Sequence, residues 1–161
     1  MRLTRRPALL LAACLLATGL GARTAASQGI TFDQTSLTIF TENGRHDFTV
    51  DISDNTSRTD LGLRYRHSVD PDGGLLILQS LAAPSQLQVT TEGLSLPIDL
   101  LFVASDGTVR EVHPWVPTDS SEPIISNAPV AAALELAGGT ITRYGILPGD
   151  KVIGGGLGQS R

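Results

Sequence analysis

The chain has 161 residues, twelve of them basic and sixteen acidic, for a formal net charge of −4. That balance excludes the basic footprint of a nucleic-acid binder and offers no electrostatic attraction to an anionic membrane. A single cysteine, Cys14, excludes an intramolecular disulfide and a cysteine-built metal site, so any fold must rest on its apolar residues.

The first element is expected to be a leader rather than part of the fold. Arg2, Arg5 and Arg6 precede an apolar run from Ala8 to Leu20, and the small residues Ala25, Ala26 and Ser27 follow. This order describes a signal peptide over residues 1–27, and the apolar run is too short to span a bilayer. Cleavage is expected near Ala26 or Ser27, with a periplasmic or extracellular destination. Leu11-Ala12-Ala13-Cys14 also fits a lipoprotein box with Cys14 as lipid anchor, although the apolar run continues through Leu15, Leu16 and Ala17 and argues against it. Thr4 to Leu9 loosely resembles a twin-arginine export signal. Removal of residues 1–27 takes away Arg2, Arg5, Arg6 and Arg23 and no acid, leaving eight basic against sixteen acidic residues, a net charge of −8. Neither a nucleic-acid partner nor a transmembrane segment is expected of that mature chain.

In the mature chain, residues 28–45 read as a loose leader followed by a short strand at Leu37–Phe40. Asn43-Gly44 favours a type I′ turn into an alternating strand, His46–Ile52, with Phe48, Val50 and Ile52 on one face. Asp54 to Leu63 reads as a short helix capped by Asp54 or Asn55, with Ser57-x-x-Asp60 as an alternative capping box and Gly62 as the stop. Gly73-Gly74 opens a strand through Leu78, and Gln86–Thr90 alternates as another. Residues 96–113 form a hairpin about an Asp106-Gly107 turn. Its first arm carries Ile98, Leu100 and Phe102 on one side and Leu101 and Val103 on the other, the mark of a strand covered on both faces.

Pro114 to Pro129 holds four prolines and no periodicity, and is expected to be a long loop. Val130–Leu136 reads as a strand or a short helix. Thr140–Tyr144 makes one helical turn, and Lys151–Ile153 a closing strand before a flexible glycine-rich tail at 154–161. A single domain over residues 46–153 is therefore expected: mainly β, an antiparallel β-sandwich or partly closed barrel with one or two short helices.

Several short segments resemble one family in their order along the chain. Gly62-Leu63 is similar to a Gly-Leu-Met element, and Gly74-Leu75-Leu76 to Gly-Met-Leu-Phe. Leu96 to Phe102 resembles Ile-Pro-Leu-Asp-Ile-Leu-Phe. Leu134 to Gly139 is similar to Leu-Glu-Leu-x-x-Gly, and Gly145 to Asp150 to a Gly-Ile-x-x-Gly-Asp ending. Together they resemble domain-of-unknown-function family 192, a small and often exported prokaryotic domain. The resemblance departs at two places. Where the family carries Phe-Trp-Met-Lys-Asn-Thr, this chain has Val89-Thr90-Thr91-Glu92-Gly93-Leu94, and Arg64 stands where a Met follows Gly-Leu.

Candidate chemistry is sparse. Asp99 and Glu135 each sit between apolar residues in expected strands, where burial raises a carboxyl's pKa toward general acid or base work. The competing reading makes Asp99 an acceptor for a neighbouring loop's backbone N–H groups. A hydrolase built on Asp99 and Glu135 requires both carboxyls in one cleft. His46, His67 and His113 lack metal-ligand spacing, and no cofactor or metal is expected. Trp115, the sole tryptophan, lies on the Pro-rich stretch beside His113, where it either stacks on a ligand or pins the loop. The leading expectation is a non-catalytic envelope module binding a ligand or partner through Trp115 and His113. The alternatives are an envelope hydrolase using Asp99 and Glu135, or a degenerate structural family member.

Overall fold

The computed structural model describes residues 31–54, 62–64 and 66–159. Both the leader at 1–27 and most of the expected helix at 54–63 lie outside them. The elements are β1 (Asp33–Thr41), β2 (Gly44–Ser53), β3 (Gly73–Leu78), β4 (Gln88–Val89), β5 (Ile98–Val103), β6 (Val109–Val116), β7 (Ile124–Ile125), β8 (Ala132–Ala137), α1 (Thr140–Tyr144) and β9 (Lys151–Gly154). Seven strands form one curled, half-barrel sheet in the order β6-β5-β8-β3-β2-β1-β9, and β4 and β7 pair as a small second sheet.

Strand alternation sorts the apolar residues into two cores. Leu101 and Val103 of β5, Leu134 and Leu136 of β8, Phe48 and Val50 of β2, and Val152 of β9 lie on one face, closed by Ile141 and Ile146. Ile98, Leu100 and Phe102 of β5 with Leu75 and Ile77 of β3 lie on the other, covered by Leu63, Leu87, Val89, Leu94 and Val130. The expected two-sided burial of β5 is thus met, and each fully buried Leu, Ile or Phe contributes about 1.5–3 kcal/mol.

The sheet is mainly antiparallel, as expected, with one parallel pair, β2 and β3, in which Thr49 lies opposite Gly73. Several finer expectations need correction. β1 starts at Asp33, four residues before the expected strand, because β2 offers a partner along its whole length, from Thr41↔Gly44 to Asp33↔Ile52. The β1–β2 turn is Glu42-Asn43, and neither residue has positive φ, so no type I′ turn forms. Thr41 Oγ1 instead accepts the Asn43 N–H, while Asn43 Nδ2 donates to the Tyr144 carbonyl. The expected strand at 86–90 shortens to β4.

The ambiguous Val130–Leu136 resolves as β8. Its alanines favour helix locally, but it lies between β3 and β5 at the centre of the sheet, where backbone pairing on both sides decides. Pro114 and Trp115 belong to β6, not to a loop. The glycine-rich end is no free tail over its described part: Leu157 is fully buried and its amide donates to the Gly154 carbonyl.

Candidate functional site

Asp99 sits on the first-core face of β5 and is fully buried. Its Oδ1 accepts the Trp115 N–H at 2.9 Å and its Oδ2 the Ile141 N–H at 2.7 Å. Both contacts follow from local irregularities. Opposite Asp99, β6 carries a bulge: Ile98 pairs with Val116 and Leu100 with His113, so three steps on β6 face two on β5. Trp115 within it takes φ +51, and its N–H turns toward the carboxylate. Helix α1 has Gly139 at its N-cap with no side-chain acceptor, and Asp99 supplies one from the neighbouring strand. Each carboxylate oxygen therefore accepts one backbone N–H, the arrangement that the structural reading of the sequence describes.

Glu135 is on the other face. Register sets it beside Leu100 of β5 and Leu75 of β3, while Asp99 lies beside Leu136. The two carboxyls project from opposite sides of the sheet, so they share no cleft and the paired-carboxylate arrangement is not formed. Glu135 is only 6 % exposed, yet it accepts no hydrogen bond from the described residues. Burial raises its carboxyl to about 7, and the Arg64 and Arg66 guanidiniums draw it back only in part.

This carboxyl lines a cavity of about 180 Å³ within the second core, bounded by Leu63, Arg64, Ile77, Gln88, Val89, Thr90 and Leu94. Arg64 makes one long hydrogen bond, Nη2 to Thr90 Oγ1 at 3.4 Å, leaving its other donors without a partner among the described residues. The wall at 89–94 is held from outside. Thr91 Oγ1 donates to the Pro117 carbonyl at 2.6 Å and accepts the Ser120 N–H, and Asp119 Oδ1 accepts the Gly93 N–H at 2.9 Å.

Trp115 and His113 do not line this cavity. Trp115 is 59 % exposed, with its ring edge laid over the α1 cap, so close that a Cβ at Gly139 would fall 3.0 Å from Cζ2. His113 turns to the second core, edge-on to Phe102 with ring centroids 5.6 Å apart, and its Nε2 stands 3.5 Å from Glu111 Oε2. His46 stacks on Tyr144 with ring centroids 4.2 Å apart and does not line the Glu135 cavity. Among the described residues no three His, Asp or Glu side chains converge as metal ligands, and no helix is long and apolar enough to cross a membrane.

Comparison with known proteins places these features in context. The DUF192 family model, described as "Uncharacterized ACR", matches residues 38–154. A crystal structure from Sinorhizobium meliloti 1021, described as a "putative transcription regulator", is similar at 36% identity with a TM-score of 0.75, covering 80% of this chain and 98% of that one. A protein of unknown function from Novosphingobium aromaticivorans DSM 12444 is similar at 26% identity and TM-score 0.70, covering 80% and 89%. No curated protein matches.

Of the cavity residues, sequence reasoning singled out Glu135 as a candidate and missed Arg64, Gln88 and Thr90 as its companions. A signal for two of them was present. Arg64 and the stretch Val89–Leu94 are the places where the chain departs from the family pattern, and both departures converge on this cavity.

Proposed function

The chain belongs to the DUF192 family, and from that premise we propose that it is an exported, non-catalytic ligand-binding domain of the cell envelope whose site is the Glu135 cavity. The observation that carries this reading is a buried carboxyl with no hydrogen-bond partner among the described residues, facing a cavity that also presents an under-used guanidinium. Burial disfavours the charged form of this carboxyl, and a ligand group that donates hydrogen bonds to it offsets that penalty. Binding is favoured over hydrolysis because the second carboxyl, Asp99, is turned to the far face and its oxygens are occupied by backbone donors. Export rests on the basic, apolar and small-residue order of residues 1–27. The description of the Sinorhizobium relative as a transcription regulator is not carried over, since a mature charge of −8 opposes a phosphate backbone.

The test is a melting-temperature screen of the mature chain, recovered from the periplasm of a bacterial host with its N-terminus near Ala26 or Ser27. A panel of envelope glycans, peptides and amino acids is expected to contain at least one stabiliser, and Glu135→Leu to abolish its effect. Hits that all survive Glu135→Leu would remove the cavity as the site. Retention of the unprocessed chain in the cytoplasm would remove the export reading.

A further inference from the structure

We propose that the Glu135 cavity takes a small zwitterion, with the ligand's ammonium on Glu135, its carboxylate on Arg64, and a short aliphatic body against Leu63, Ile77, Val89 and Leu94. The inference rests on the ligand-binding reading of this same cavity and names the class of ligand it fits.

Three features of the cavity select that class. The first is charge. Glu135 accepts no hydrogen bond from the described residues, and an ammonium brings three donors to an acceptor-only carboxylate. Arg64 spends one weak contact on Thr90 Oγ1, leaving the guanidinium fork that pairs with a carboxylate in bidentate fashion. The second is size. A space of 180 Å³ is slightly larger than a cavity of roughly 150 Å³ that holds one benzene molecule, which suits an amino acid and is too small for a chain of sugars or residues. The third is the wall. Its described side chains other than Arg64, Glu135, Gln88 and Thr90 are aliphatic and suit a short aliphatic body.

The charges around Glu135 fix how binding responds to pH. The Arg64 and Arg66 guanidiniums act on it from the segment preceding β3. From β3 and β5 it meets Leu75 and Leu100, and from β4 the neutral Gln88 and Val89. Among the described residues that line the cavity, Glu135 is therefore the one acid whose ionisation the ammonium reads. Binding of the cation requires the carboxylate, so affinity rises with pH toward about 7 and levels off above it.

Calorimetry on the mature protein with L-valine, isobutylamine and 3-methylbutanoate tests this. L-valine is expected to bind most tightly, isobutylamine less so and 3-methylbutanoate least, with L-valine roughly tenfold tighter at pH 8 than at pH 6. Glu135→Gln is expected to weaken L-valine and isobutylamine by about tenfold or more and to flatten the pH dependence. Arg64→Gln should weaken L-valine and 3-methylbutanoate while sparing isobutylamine. If a neutral glycan or peptide binds in a Glu135-dependent way while these three probes do not, the zwitterion class is wrong and the cavity reading stands. If nothing in either panel depends on Glu135, both fall. Equal affinity for L-valine at the two pH values overturns the ammonium–Glu135 pairing by itself.

Discussion

Glu135 carries an energetic signature that can be read without any ligand. In the unfolded chain its carboxyl titrates near 4.5, and in the fold burial holds it at about 7. Below pH 4.5 it is protonated in both states and costs nothing. Between about 4.5 and 7 the unfolded chain releases its proton first, so stability declines as pH rises; above 7 the penalty levels at about 3 kcal/mol. Urea denaturation from pH 4.5 to 8 is expected to show that decline, and Glu135→Gln to remove it. A wild-type profile that Glu135→Gln leaves unchanged would place the ionised carboxyl at no disadvantage. Asp106 acts in a separate window: hydrogen bonds from Thr108 hold its carboxyl down to about 2, so its contribution fades only as pH falls from 3.8 toward that value. As a sequence, Leu-Glu-Leu shows a carboxyl between apolar neighbours. It does not show that a cavity lies over Glu135, because Arg64, Thr90 and Leu94 come from distant segments.

At the scale of elements, Asp99 is the joint between the β6 bulge and helix α1. Its two oxygens accept one N–H from each, and neither element supplies an acceptor of its own there. Asp99→Asn keeps one acceptor and turns an amide N–H₂ toward the other donor. It is expected to cost about 2–4 kcal/mol in urea denaturation while leaving binding in the Glu135 cavity unchanged. A neutral effect on stability would mean the bulge and cap hold without it. The β5–β6 hairpin was legible because apolar alternation and Asp106-Gly107 are local signals. The bulge was not, since a tryptophan at positive φ is sustained by contacts with Asp99 and Gly139 that lie far along the chain. β8 was only half legible for the same reason: its Ala-rich sequence suits helix as well as strand, and its two neighbours decide.

The whole molecule is a sheet whose two edges nearly meet. Thr108, at the foot of β6, bridges Lys151 of β9, and the N–H groups of Val109 and Val152 donate to the carbonyls of Asp150 and Gly107 at 2.8 and 2.7 Å. Closing the edges at this end withdraws open strand edges from further pairing. Gly107 is where this closure is most exposed to change. It takes φ +80, and a Cβ there would run into the Val152 carbonyl. Gly107→Ala is expected to cost about 2–3 kcal/mol through that overlap and the left-handed backbone. Hydrogen exchange should show the loss concentrated at the Val109 and Val152 amides. Uniform loss of protection, or none, would show that the two edges do not act as a local closure.

By itself the sequence determined the β class, the two-sided burial of β5 and the family, because each is written in local alternation, turn chemistry or short motifs. It also placed Asp99 and Glu135 in the interior, since a carboxyl flanked by strand apolar residues has no other place to lie. Only the tertiary structure decided to which side of the sheet each of them turns. Strand register sets Leu100 beside Glu135 and Leu136 beside Asp99, and a strand's side chains alternate between faces. Register is a relation between strands far apart in the chain. It turns Asp99 to the joint between the β6 bulge and α1 on one side of the sheet and Glu135 to a cavity on the other.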